Sequence, residues 1–126
     1  MTAARLGAIA TGILLTHGLV LAHHAYIAEF DTTKPVKVTG VVTKLEWSNP
    51  HIWIYLDVKD DKGNITHWGC ETLAPSNLRR KGWEKDSVKP GDQITVTVAP
   101  RKDGKPFGTL SGYRIVVNGK ELDVKL

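Results

Sequence analysis

Cysteine is almost absent from this chain of 126 residues: Cys70 stands alone. A single cysteine excludes an internal disulfide and a thiolate metal cluster built from this chain. Charge of one sign is scarce as well. Seventeen Lys and Arg against thirteen Asp and Glu leave +4 and a pI near 9.3, too mild an excess to signal nucleic-acid binding by itself. No apolar run reaches the roughly 20 uninterrupted residues that cross a bilayer. Internal repeats and low-complexity tracts are missing too. So are a Gly-x-Ser-x-Gly elbow, a Walker loop and His-Glu-x-x-His, which leaves hydrolytic catalysis without a signature. What is present is ordinary globular usage, 41% apolar and 24% charged, in 13.9 kDa. That is enough chain for one core and not for two.

The N-terminus reads as an export signal. Arg5 precedes a stretch over residues 8–22 that is apolar apart from Thr11, Thr16 and His17, and Val20-Leu21-Ala22 ends it with small residues at −3 and −1. A basic start, about 7–15 apolar residues and a small-residue site describe a secretory signal peptide. Cleavage after Ala22 leaves 104 of the 126 residues, and the formal charge falls from +4 to +3 because Arg5 is the one charged residue removed. The expected organisation is a signal peptide over 1–22, an arm over 23–34 and a domain over 35–126, in a periplasmic or secreted protein with no membrane anchor after cleavage. In that oxidising setting Cys70 is expected to be a small buried apolar residue.

The remainder alternates as strands do. Residues 36–47 are rich in Val and Thr, with Gly40 where a long strand would bend or bulge. In 51–58, Ile52, Ile54, Leu56 and Val58 fall on one face, and His51, Trp53, Tyr55 and Asp57 on the other. Asp60 to Asn64 spells a turn, and a strand over 65–71 follows. Pro75 to Gly82 predicts one or two helical turns, with Pro early, Arg79, Arg80 and Lys81 late and Gly82 as the stop. Strands are then expected over 93–99 and 110–117, and Asn118-Gly119 signals a tight hairpin into 120–124. Three strands, one short helix and two strands is the order of a five-stranded OB-like barrel, an all-β fold with a single helix.

Two groups of residues carry candidate chemistry. After cleavage the chain begins His23-His24-Ala25-Tyr26. A terminal histidine offers its α-amine and its imidazole to one ion, and with a third nitrogen from His51 this makes a site that prefers copper, with other transition metals behind it. His67 is a weaker candidate, and Glu29 and Asp31 are acidic residues able to complete such a site. The second group is aromatic. Trp53 and Tyr55 lie on the strand 2–3 face, the usual ligand surface of an OB barrel. Used alone, that face makes a metal-free interaction module of the cell envelope, for a protein, peptide, glycan or other small ligand, with no nucleic acid expected. Trp47, Trp53, Trp68 and Trp83 also read as packing residues of a small barrel.

Taken together, His23-His24-Ala25-Tyr26, Glu29-Phe30-Asp31, Gly40-Val41-Val42, Glu46-Trp47-Ser48-Asn49-Pro50-His51, Arg80-Lys81-Gly82-Trp83 and Lys89-Pro90-Gly91-Asp92 resemble a family of small exported bacterial proteins. That family is catalogued as a domain of unknown function. Its members typically begin their mature part with His-His-Ser-Phe and carry Trp-x-Asn-Pro-His. This chain departs at Ala25 and Tyr26 and matches at His23, His24 and His51. The resemblance implies export and a shared histidine set, and brings no activity with it.

Overall fold

A computed structural model describes residues 25–125. Seven strands are present: β1 (Val36–Glu46), β2 (Trp53–Lys59), β3 (Ile65–Glu71), β4 (Gln93–Pro100), β5 (Phe107–Thr109), β6 (Ile115–Val117) and β7 (Lys120–Leu122), with the helix Pro75–Arg80 between β3 and β4. They form one sheet in the order β1-β2-β3-β5-β4-β6-β7, and β1 also pairs with β4. Five strands therefore close on themselves, with β3 and β5 parallel and the other barrel pairs antiparallel. That connectivity is the OB barrel.

The pattern of β2 shows why the sequence closes this way. Ile52, Ile54 and Leu56 are completely buried, while Trp53, Tyr55 and Asp57 stand on the outer face at intermediate exposure. Period-two alternation places one set against the core and the other against solvent. Val42, Cys70, Ile94, Val96, Val98 and Ile115 meet that set from the other strands, and Leu110 from just past β5. Truncating any of the large buried aliphatics to Ala removes about 2–5 kcal/mol. The helix begins with Pro75, whose missing N–H costs nothing at the first turn, and drives Leu78 fully into the core. Gly82 stops it at φ +86°, as expected of a left-handed stop. Trp83 is buried and its indole N–H donates to the Asp123 carbonyl at 2.9 Å, which ties the segment after the helix to the C-terminus.

Four details differ from the sequence reading. The long strand expected over 110–117 is interrupted: Leu110 ends one segment, residues 111–113 turn through Gly112 at φ +80°, and β6 starts at Ile115. The strand that closes the barrel is instead Phe107–Thr109, too short and too mixed to show alternation. β6 and β7 form the hairpin at Asn118-Gly119, both at positive φ, and add to the edge of β4 rather than to the barrel. The second difference is at β1, where the register slips between Val42 and Lys44, so Thr43 is the extra residue of a bulge. Gly40 serves another purpose. Val41 pairs with both Asp57 and Gln93, so β1 changes partners there, and a Cβ on Gly40 would lie 2.3 Å from the Asp57 carbonyl oxygen. Third, β2 starts at Trp53, leaving His51 on the approach to the strand. Finally, a second helical turn occupies residues 25–29.

Candidate functional site

One rim of the barrel gathers the ends of β3 and β5 and the approach to β2. His51 follows the cis Asn49–Pro50 peptide. Its backbone setting is fixed: the Ile52 N–H donates to the Leu73 carbonyl at 2.9 Å, and the Thr72 N–H donates back to the Ile52 carbonyl at 2.8 Å. The register that sets Trp53 opposite Glu71 brings the Glu71 carboxylate into contact with Nδ1 of His51. The His51 side chain stays half exposed while Glu71 is mostly covered. With Nδ1 engaged, Nε2 is the ring nitrogen left for another partner.

The chain from Tyr26 to Asp31 is fastened beside this rim. The Asp31 N–H donates to the Pro100 carbonyl at 2.8 Å, the Lys102 N–H donates to the Glu29 carbonyl at 3.0 Å, and Phe30 bridges to Arg101. Phe30 is 4% exposed and stacks at a tilt on Tyr26, with ring centroids 5.5 Å apart. Burial pushes the Tyr26 hydroxyl above its ordinary pKa, and Thr109, Tyr113 and Glu71 are the groups that act on it. Tyr26 thus lies against Thr109, the register partner of the Glu71 that contacts His51.

The acidic candidates of the arm are engaged elsewhere. Glu29 pairs with Arg101, and Asp31 accepts the N–H of Thr33 at 3.0 Å and its hydroxyl at 2.6 Å, which holds the Asp31 carboxyl below its usual range. His67 is not part of the rim. Four residues before Glu71 on β3, about 13 Å along the strand, its Nδ1 meets Asp57 Oδ1 at 2.6 Å on the outer face. Cys70 points the other way into the core, where burial pushes its thiol up to about 12. His23 and His24 lie outside the described residues. Among the described residues no group of three or more His, Cys, Asp or Glu is placed to hold a metal ion.

The outer face of β2 and β3 carries the second candidate. Trp53 and Tyr55 lie nearly parallel, 6.2 Å apart at 17°, and Phe107 meets Trp53 edge-on at 6.2 Å and 79°. Phe107 escaped the sequence reading because its strand, three residues long, did. The bulge at Thr43 turns Lys44 outward opposite Tyr55, with its ammonium 5.5 Å from the ring centroid. Glu46 then bonds both the Lys44 ammonium and, at 3.2 Å, the Tyr55 hydroxyl. Trp47, by contrast, packs against the core under the Arg79 guanidinium, 5.7 Å from its ring centroid.

Fold and surface together define a small β-barrel of OB topology with a histidine–carboxylate pair on one rim and an aromatic outer wall. The chain belongs to a family of unknown function, DUF6152, whose model matches residues 13–111. No curated protein matches it.

Proposed function

We propose that this is an exported binding protein that holds a transition-metal ion, copper by preference, between the histidines exposed by cleavage after Ala22, His23 and His24, and His51 on the barrel rim. One observation carries the reading: Tyr26 lies against Thr109, the register partner of Glu71, and Glu71 contacts His51. His24 and His23 precede Tyr26 by two and three residues, at most about 7 and about 11 Å of extended chain. A terminal amine and imidazoles are nitrogen donors of the kind that favour Cu(II). A metal-ligating histidine usually gives its other ring nitrogen to a carboxylate, and Glu71 is so placed on His51.

The test is metal analysis of protein purified from the periplasm, with intact mass to define its N-terminus. Expected are a chain beginning at His23, about one copper per protein, and at least tenfold weaker copper binding in His51→Ala. A mature chain that begins elsewhere, or one that is metal-free and ignores added Cu(II), overturns the proposal.

A further inference from the structure

The outer wall contains a groove that the rim chemistry does not use. Its volume is about 460 Å³, within the range of small-molecule sites. Gly69 is its floor. A Cβ there would lie 2.6 Å from the Phe107 ring and 3.4 Å from Tyr55, so the two aromatic walls stand where they do because the floor is bare backbone. The walls are also held in advance. Tyr55 is stacked against Trp53 and bonded through its hydroxyl to Glu46, and Phe107 is set edge-on to Trp53. Rigid aromatic surfaces of this kind bind at little conformational cost.

The polar groups at the groove select among ligands. On one flank Lys44 is neutralised by Glu46, and on the other His67 is paired with Asp57. Lys44, the lysine that lines the groove, has its own anion, which disfavours a phosphodiester chain or an acidic peptide, because both need uncompensated positive charge. What the flanks offer is carboxylates that accept hydroxyl protons and an ammonium that donates. Flat apolar rings flanked by balanced donors and acceptors match one ligand chemistry: an uncharged ring with one apolar face and a rim of hydroxyls.

From this geometry we infer that the groove between Tyr55 and Phe107 is a carbohydrate subsite, taking a neutral sugar ring of an oligosaccharide against the aromatic walls, with Lys44 and Glu46 hydrogen-bonding its hydroxyls. The site is separate from the proposed metal centre and works without it.

The test is tryptophan fluorescence of the mature protein in EDTA, titrated to millimolar concentration with cellotetraose, maltotetraose and N-acetylchitotetraose, and in parallel with octathymidylate and hexaglutamate. At least one neutral oligosaccharide is expected to shift the emission saturably. That binding should weaken at least tenfold in Tyr55→Leu and measurably in Lys44→Met, a surface change that leaves the core intact, with both variants keeping the native circular-dichroism spectrum. The inference is overturned if none of the three oligosaccharides binds. It is equally overturned if octathymidylate or hexaglutamate binds more tightly than all of them, or if the Lys44→Met variant, folded, binds sugar as the parent does.

Discussion

At the scale of single residues, burial decides what each group can do. Cys70 is completely buried, and its thiol is pushed up to about 12; the thiolate is the reactive form, and almost none exists at neutral pH. Native protein at pH 8 is therefore expected to resist a thiol reagent such as dithionitrobenzoate, and to react fully once unfolded in urea. Rapid labelling of the native protein would contradict the placement. The buried, apolar reading of Cys70 was already legible from its lone occurrence, since an unpaired cysteine packs as a small apolar residue. Glu71 was less visible. Its pairing with His51 depends on the β2–β3 register, which can be counted outward from the turn at Asp60 to Asn64 once the hairpin is accepted. Glu29 and Asp31 illustrate the reverse: the acidity of both was plain, but Glu29 meets Arg101 through docking that no local pattern encodes, while Asp31 is taken by Thr33 in a local turn two residues long.

Among the elements, β1 does two jobs, pairing with β4 through residues 36–41 and with β2 through 41–46. Gly40 sits where it changes partners, and the 2.3 Å approach of an added Cβ to the Asp57 carbonyl oxygen is onto backbone, which cannot swing aside. Gly40→Ala should therefore destabilise by more than about 2 kcal/mol, read as a lower urea midpoint; an unchanged midpoint would mean that the corner is looser than described. Long alternating strands announced themselves in the sequence, because burying one face repeats every second residue. β5 did not, since Phe-Gly-Thr is held by its neighbours: Gly108 presses on Val98, within 2.6 Å of where a side chain would begin. Residues 110–117 looked continuous because Leu110, Ile115 and Val117 are all buried, yet Gly112 turns the chain between them.

For the molecule as a whole, acid should be destabilising, and one buried carboxylate contributes directly. Asp92 is 5% exposed. The Asn118 amide donates to it at 3.0 Å and the Lys89 N–H at 2.9 Å, with the Lys89 ammonium at 3.3 Å, and these hold its carboxyl below the ordinary range. A carboxylate with a lowered folded-state pKa stabilises fully above its unfolded value, about 3.9, and loses that contribution as pH falls from there through the folded pKa. The urea midpoint should accordingly drop between pH 6 and pH 3, and Asn118→Ala should narrow that drop while costing about 1–2 kcal/mol at pH 6. A variant with the parent's full acid sensitivity would exonerate Asp92.

The barrel is not equally secure around its circumference. β1 runs along its partners for eleven residues, whereas β5 is held by two pairs to β4 and by three to β3, Gly69 with Phe107, Cys70 with Gly108 and Glu71 with Thr109. Local opening starts where the fewest bonds must break together, so the short β5 is where the closed sheet would part first, and with it its seam to β3. Its first rung is the floor and one wall of the aromatic groove, and its last holds the carboxylate that meets His51. A breathing motion of a few residues would therefore unmake both candidate sites at once and leave the rest of the cylinder standing, so binding at either one would latch the molecule shut.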